Sequence, residues 1–406
     1  MEKKVSPKLL KKTWITLLQT TNGKEEKKLA IGCDGMSSYK FQSTIDWQVN
    51  EICRKINTQV CDYSFGPLLY YSKAKNSGGN RKIYIPRIKD QLVLKWMHNE
   101  LSKKAAEKGI ILTTQSPFKT TLLFRKELAK QENPIIIRTD IQSYFDTIPR
   151  DSVIALAHSM GIHPKCAQLL QKWSLELQGR PMKYAGKSHD SPLYGLPQGL
   201  SLSAALAELW GHHLVEELKK HTDAPVFRYV DDIAIVTNSK EEAVKILEIL
   251  KQVTEELGLQ LSDKKTEITS LDEGVSWLGF KHFKDTIQAN PERVEKWMNQ
   301  LFSIRKKAML HYAQNPESEK SEIVKLFVSN VRAELLGKTS HKPRWYSLTK
   351  DTGNWRIIDS QLSSHWITLH KQLRLSVPDK KPFPSLHKIM KGRATHLKSS
   401  PLQTAN

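Results

Sequence analysis

Two adjacent carboxylates, Asp231 and Asp232, lie in the stretch Tyr229-Val230-Asp231-Asp232, with Val226-Phe227 before it and Ile233-Ala234-Ile235-Val236 after. The pattern predicts a β-hairpin whose turn presents an acidic pair. Aspartate is a common turn residue, so a plain surface turn is the alternative for the pair taken alone. A third carboxylate, Asp140, ends the apolar run Pro134-Ile135-Ile136-Ile137-Arg138-Thr139. Three carboxylates from two neighbouring strands have the donor chemistry to hold two divalent metals. In nucleotidyl transfer one such ion activates a 3′ hydroxyl, and the second holds the triphosphate and the leaving pyrophosphate. Mg²⁺ is the expected cofactor, as two ions, because it takes oxygen ligands and keeps positions open for substrate phosphates. Asp140 and Asp231 would bridge the ions, the Ile141 carbonyl would be a further ligand, and Asp232 would contribute less directly.

Between these acidic elements lies Gly195-Leu196-Pro197-Gln198-Gly199-Leu200-Ser201, a glycine-rich loop opening a helix. By itself it reads as a loop and helix cap. Its position between the Asp140 strand and the Asp231 hairpin supports a second reading, in which Gln198 faces an incoming nucleotide and the glycines permit close backbone approach.

The elements that must carry these residues follow from apolar spacing. Helices are predicted over 45–56, 90–108, 118–130, 201–220 and 240–257, and a further one from an Asp151-Ser152-Val153 cap towards Met160. Residues 63–86 read as strands interrupted by a turn at 75–80, and Trp277-Leu278-Gly279-Phe280 reads as one short buried strand. From 291 onward three helical patterns follow, at 291–313, 317–337 and 354–374, with Trp355 and Trp366 as core residues. The order of elements is α+β: a small antiparallel sheet flanked by helices, then an all-helical end.

Lys plus Arg number 63 against 42 Asp plus Glu among 406 residues, a net charge of +21, and the sequence pI is about 9.6. That excess predicts a polyanionic partner, most simply nucleic acid. No apolar run is long enough to span a bilayer. No signal-type apolar core follows the first residues, so no membrane partner and a cytoplasmic location are expected. The four cysteines, Cys33, Cys53, Cys61 and Cys166, have neither zinc-site nor disulfide-framework spacing. Residues 376–406 are rich in Pro and Lys and predict a flexible or RNA-bound tail, with Lys380, Lys381, Lys388, Lys391, Arg393 and Lys398 against the single acid Asp379.

With these blocks in order, the chain resembles a bacterial reverse transcriptase of the group II intron-like lineage. The resemblance covers residues 31–280. It rests on the Asp34-Gly35 turn and following helix, Arg81-Lys82-Ile83-Tyr84-Ile85-Pro86, the Asp140 block and Pro197-Gln198-Gly199. The Tyr-Val-Asp-Asp hairpin, Leu261-Ser262-Asp263-Lys264-Lys265 and Trp277-Leu278-Gly279-Phe280 complete the series. It implies a right-hand polymerase: an N-terminal extension at 1–30, fingers at 31–130, palm at 131–285, a helical thumb at 286–375 and a basic C-terminal tail at 376–406.

The resemblance also implies roles. Arg81, with Lys82 nearby, would pair with the triphosphate of a dNTP, and Lys265 would neutralise or protonate the leaving pyrophosphate. Phe145 falls where the family has its aromatic steric gate against a ribose 2′ hydroxyl, with Tyr144 as the alternative ring. Lys119, Arg305, Lys306, Lys307, Arg332 and Arg344, with Trp345, would contact the RNA template and the RNA/DNA hybrid; a solvated helical face is the alternative for those charges. The chain departs from the family at Asp90-Gln91, where Asp-Arg is usual, and at Pro117-Phe118-Lys119, where Gly-Phe-Arg is usual. Both departures bear on template contacts.

Among its relatives, group II intron maturases continue into a Cys/His endonuclease region, which this sequence lacks. Retron enzymes carry Asn-Ala-x-x-His and Val-Thr-Gly signatures, and diversity-generating enzymes end the Gln198 loop differently. A stand-alone defence-associated enzyme is the most similar group, which implies antiphage defence with a structured noncoding RNA as template. A retron-type enzyme making msDNA is the alternative, and an RNA-binding or splicing-helper module on a polymerase fold is another.

Overall fold

A computed structural model describes residues 4–18, 31–74, 79–112, 116–178, 194–335, 352–379 and 382–383. Arg344, Trp345, residues 75–78 of the expected fingers turn and the six tail cations lie outside the described residues.

The first part of the chain forms α1 (Pro7–Leu18), α2 (Ser38–Ser43), α3 (Ile45–Ile56), the strands β1 (Leu69–Ala74) and β2 (Asn80–Ile85), and α4 (Ile88–Glu107). Then come α5 (Pro117–Leu128), β3 (Ile135–Asp140), α6 (Tyr144–Thr147), α7 (Arg150–Ser159), α8 (Pro164–Gln178) and α9 (Ser201–Lys219). The acidic region is β4 (Val226–Tyr229) and β5 (Asp232–Thr237), followed by α10 (Lys240–Glu256) and β6 (Glu267–Ser270). The last part holds β7 (Val275–Trp277), β8 (Phe280–His282), β9 (Ile287–Ala289), α11 (Pro291–Gln314), α12 (Lys320–Leu335) and α13 (Thr352–Gln372). The class is α+β, with antiparallel pairing in each resolved hairpin.

Two compact units divide the chain, one of Met1–Ser116 with Thr139–Glu267 and the other of Pro117–Arg138 with Ile268–Asn406. In the first, α4 packs against α9 and α1, and α7 packs against α9. Leu92, Val93, Met97, Leu206 and Ala157 are fully buried, so the helices meet through apolar faces. β1 and β2 form a two-stranded hairpin, from Leu69 opposite Ile85 to Ala74 opposite Asn80. β4 and β5 pair antiparallel, from Val226 opposite Ile235 to Tyr229 opposite Asp232.

The base of the β1–β2 hairpin is anchored by Asp90. Its buried carboxylate accepts from the Tyr63 hydroxyl at 2.6 Å, the Gly66 N–H at 2.9 Å and Arg87 Nε at 2.8 Å. A buried carboxylate needs this number of donors. At the departure Asp90-Gln91, the aspartate therefore serves as a structural anchor.

The α4–α9 contact carries a pH dependence. His98 on α4 lies 3.1 Å by Nδ1 from the Ser201 carbonyl, and burial, then the charge of Lys95, lowers its pKa to about 4 from 6.5. Because the folded value lies below the unfolded one, the unfolded chain takes up a proton that the fold refuses. Stability is then unaffected above about pH 6.5 and falls as the pH drops towards 4, by roughly 2 kcal/mol after allowance for screening. His98→Gln should flatten the fall of Tm across that window; equal slopes in both proteins would contradict the assignment.

In the second unit one core joins α11, α12 and α13, in which Leu301, Phe327, Ile358 and Leu369 are fully buried. Trp355 and Trp366 are buried in it, as expected, and Trp355 stacks on Trp297 with ring centroids 5.3 Å apart. β7, β8 and β9 form a separate three-stranded sheet.

Two local expectations are corrected. Trp277-Leu278-Gly279-Phe280 is a tight turn between β7 and β8: Trp277 pairs with Phe280, and Leu278 and Gly279 both have positive φ, 49° and 83°. Consecutive left-handed residues reverse a hairpin and cannot continue a strand. The helix expected from an Asp151-Ser152 cap begins at Arg150, with Pro149 at the cap position, whose side chain has no oxygen to accept a helix N–H. α8 had no counterpart among the expected elements.

Candidate active site

The hairpin expected between the two apolar runs is present, with Asp231 in its turn and Asp232 opening the second strand. Tyr229 pairs with Asp232 across the β4–β5 hairpin, leaving Val230 and Asp231 as a two-residue turn. Val230 has φ 59°, a left-handed conformation rare for a β-branched residue. Asp140 reaches the same place from β3. The Ile141 N–H donates to the Asp231 carbonyl at 3.1 Å, and the Ser262 N–H donates to the Asp140 carbonyl at 2.8 Å.

The carboxylates differ in their surroundings. Asp140 is 8% exposed and takes a 2.7 Å salt bridge from Lys265 through Oδ2. Lys265 ends the 3-10 turn Asp263–Lys265, whose position is secured by the Lys265 N–H bonding the Ser262 carbonyl. Burial, then the nearby charge of Asp140, holds the Asp231 carboxyl above its usual range, with Lys265 and Arg81 acting in the opposite sense. Repulsion between Asp140 and Asp231 is therefore built into the site, and a cation relieves it.

The residues fit a hard divalent ion: carboxylate oxygens under mutual repulsion, with a positive group already drawn to one of them. Among the described residues no three His, Cys, Asp or Glu side chains converge as a ready metal cage. Asp140 is instead engaged by the Lys265 ammonium.

The glycine-rich loop touches two further candidates. The Tyr84 N–H on β2 donates to the Gln198 carbonyl at 2.8 Å, and the Leu196 N–H donates to the Phe145 carbonyl at 2.7 Å. Gly199 has φ 100°, and a Cβ there would meet Ile83 Cγ2 at 2.8 Å and the Tyr84 carbonyl at 3.2 Å. Only glycine allows this approach. Arg81 is exposed on the same strand, and Lys82 Nζ lies 4.6 Å from the centre of the Tyr70 ring. Tyr144 is buried, its hydroxyl donating to the Ala207 carbonyl at 2.5 Å, whereas the neighbouring Phe145 ring is half-buried. Asp140, Asp231, Asp232, Lys265, Arg81, Gln198 and Phe145 all belong to the first unit.

The basic candidates of the second unit fall into two groups. Lys119, Lys306 and Lys307 are exposed. Arg305 bonds His365 at 3.1 Å and Gln372 at 2.9 Å, and Arg332 bonds the Pro382 carbonyl at 2.8 Å.

Sequence reasoning missed two supporting groups. Arg150, 2% exposed, donates to the Gly195, Ser174 and Tyr194 carbonyls at 3.0, 3.1 and 2.7 Å. Arg228 and Glu208 form a buried 2.6 Å ion pair. Glu208 had a signal: an acid at a core-facing position of an otherwise apolar helical run requires a cation partner.

The site thus joins the carboxylates at the hairpin turn to Asp140 on the neighbouring strand, which carries the Lys265 ammonium. Residues 73–282 match the family model described as reverse transcriptase (RNA-dependent DNA polymerase), which is about half of the chain, and the chain belongs to that family. It is thereby an RNA-directed DNA polymerase, a nucleotidyltransferase, of a family that works with divalent metal ions. Among solved structures it is similar to a telomerase from Candida albicans determined with a fragment of telomeric RNA. Identity is 11%, the TM-score 0.44, and the match covers 89% of this chain and 69% of that one. A telomerase from Candida tropicalis matches at 14% identity and TM-score 0.40, over 67% of this chain and 63% of that one. No curated protein matches it in sequence. Among the described residues, no helix is long and apolar enough to cross a membrane.

Proposed function

We propose that this chain is a bacterial reverse transcriptase of the group II intron-like lineage, similar to the defence-associated group, copying a structured noncoding RNA into cDNA in antiphage defence. The observation that carries the catalytic part is the Asp140–Lys265 bridge beside a disfavoured Asp231 carboxylate. A cation there would relieve the repulsion between the two carboxylates and would compete with the Lys265 ammonium for Asp140.

When bound, two Mg²⁺ ions would supply activation of the primer hydroxyl and charge neutralisation on the triphosphate. Asp140 and Asp231 would hold the ions, with Asp232 and the Ile141 carbonyl as further oxygen donors. Lys265, which bridges Asp140, would neutralise the leaving pyrophosphate or give it a proton. Arg81 and Lys82 grip the triphosphate, where a guanidinium pairs with phosphate oxygens in bidentate fashion. Gln198 orients the nucleotide from a loop fixed to β2. Phe145 excludes the ribose 2′ hydroxyl; the support for choosing it over Tyr144 is that the Tyr144 hydroxyl is already satisfied in the core.

In this reading 31–130 are fingers, 131–285 palm and 286–375 thumb. Lys119 contacts the template, and Lys306 and Lys307 contact the hybrid backbone. Arg305 and Arg332 bond within the second unit and shape the helices that present those lysines. Arg344 and the tail cations add to the RNA-binding charge.

Phe145→Ala should raise rNTP incorporation relative to dNTP by about 10- to 100-fold, the range that steric exclusion of one small group gives. Unchanged discrimination would remove the gate assignment. The template and the biological role are tested by sequencing the RNA and cDNA that co-purify with the protein, together with phage challenge of cells carrying the wild type or Asp231→Asn. A single structured RNA with matching cDNA and active-site-dependent protection support the reading. An msDNA-like product joined to its own template RNA, or protection unaffected by Asp231→Asn, would overturn it.

A further inference from the structure

Arg228 stands two residues before Val230 on β4, and its guanidinium faces three groups at once. Nη1 donates to the Val230 carbonyl at 2.8 Å, and Nη2 donates to Glu208 Oε2 at 2.6 Å. The third is Gly211 on α9, where a Cβ would lie 2.5 Å from the guanidinium carbon. The guanidinium thus lies flat against a helix at the point where that helix has no side chain. Glu208, one turn earlier on α9, fixes its orientation.

The carbonyl that Arg228 holds belongs to the residue under backbone strain. Val230 occupies the first position of a two-residue hairpin turn with φ 59°, where glycine is the usual occupant. A β-branched residue leaves that region unless its surroundings hold it there. The next carbonyl, that of Asp231, receives the Ile141 N–H. Two successive carbonyls are therefore held, one by Arg228 and one by Ile141. They orient the peptide planes before and after Asp231, and so the direction of its side chain. Arg228 reaches Asp231 through the backbone, by its bond to the Val230 carbonyl.

We propose that Arg228, seated by Glu208 against Gly211, is a positioning residue that holds the strained Val230-Asp231 turn and so aims Asp231 at the bound cation. The aim at a cation rests on the catalytic reading above; the clamp on the turn does not.

The test reads amide exchange in metal-free protein and Mn²⁺ binding by electron paramagnetic resonance. In Arg228→Gln/Glu208→Gln, which leaves no unpaired buried charge, exchange of the Ile141 amide should accelerate about tenfold or more, as expected when a charge-assisted hydrogen bond is lost. Mn²⁺ affinity should weaken by about the same factor. Adding Val230→Gly, which removes the strain without restoring the ion pair, should return both readouts to within about threefold of wild type. A purely structural staple between β4 and α9 predicts no rescue.

Gly211→Ala serves if the double variant fails to fold. It improves helix propensity and retains both charges, yet its Cβ displaces the guanidinium, so the Ile141 amide should again exchange faster. Unchanged Ile141 exchange in these variants, or failure of Val230→Gly to rescue the first, would overturn the proposal. Absence of Mn²⁺ binding to the wild type, with Ile141 exchange still governed by Arg228, would uphold the clamp and overturn the catalytic reading.

Discussion

Asp231→Asn is expected to abolish nucleotide incorporation while making the metal-free protein more stable. The loss follows from removing an anionic oxygen from a site where bound cations supply several kcal/mol of transition-state stabilisation, so a fall on the order of 10³-fold or more is expected. The gain follows from the elevated Asp231 pKa, set by burial and then by Asp140. A carboxyl whose folded pKa is raised is disfavoured in its charged form by the fold, so ionisation costs stability as the pH rises through that value. An amide of the same shape has no such cost. In metal-free buffer at neutral pH, Tm should therefore be higher for Asp231→Asn than for wild type, and lowering the pH should close the gap. Divalent cation should raise the Tm of wild type more than that of the variant. A variant both inactive and less stable would mean that Asp231 is a structural carboxylate.

Arg150→Met is expected to produce the largest loss of stability. The guanidinium is buried, and burial lowers its pKa to about 10. It is retained there because it satisfies three carbonyls from two separate segments, Ser174 on α8 and Tyr194 and Gly195 at the start of the Gln198 loop. Methionine fills similar volume but donates nothing, which leaves three acceptors unpaired at about 1–3 kcal/mol each. A total near 4–5 kcal/mol is a large share of the 5–15 kcal/mol by which domains are usually stable. Urea unfolding should show the midpoint reduced with little change in slope. A loss below about 1 kcal/mol would mean that water replaces the guanidinium, contrary to its burial.

Some of this architecture could be read from residue order alone. The strand ending at Asp140, the Asp231 hairpin and the helices over 240–257 and 45–56 follow from periodicity and local capping. Ser239, for example, accepts the Glu242 N–H at 3.1 Å, and Glu242 accepts the Asn238 N–H at 2.7 Å, a reciprocal cap confined to five residues. The Leu278-Gly279 turn was hidden because four apolar or small residues in a row look alike whether extended or reversed, and backbone φ decides between them.

The supporting shell was hidden for a different reason. Arg150, Arg228 and Glu208 matter through partners 20 to 45 positions away, and no local pattern reports which carbonyl a buried guanidinium will meet. The same holds for the Gln198 loop, whose glycine is required by a β2 backbone more than a hundred residues earlier. Placement of Lys265 on Asp140 likewise needed the fold, although both residues were singled out by type and position.

The central claim is that the Asp140–Asp231 centre performs RNA-templated DNA synthesis. Its most direct test is extension of a DNA primer annealed to an RNA template by the purified chain with dNTPs and Mg²⁺, run beside Asp140→Asn and with chelator added. Template-dependent incorporation by the wild type, lost in the variant and in chelator, is the predicted result. RNA binding without incorporation, or incorporation undiminished in Asp140→Asn, would contradict it.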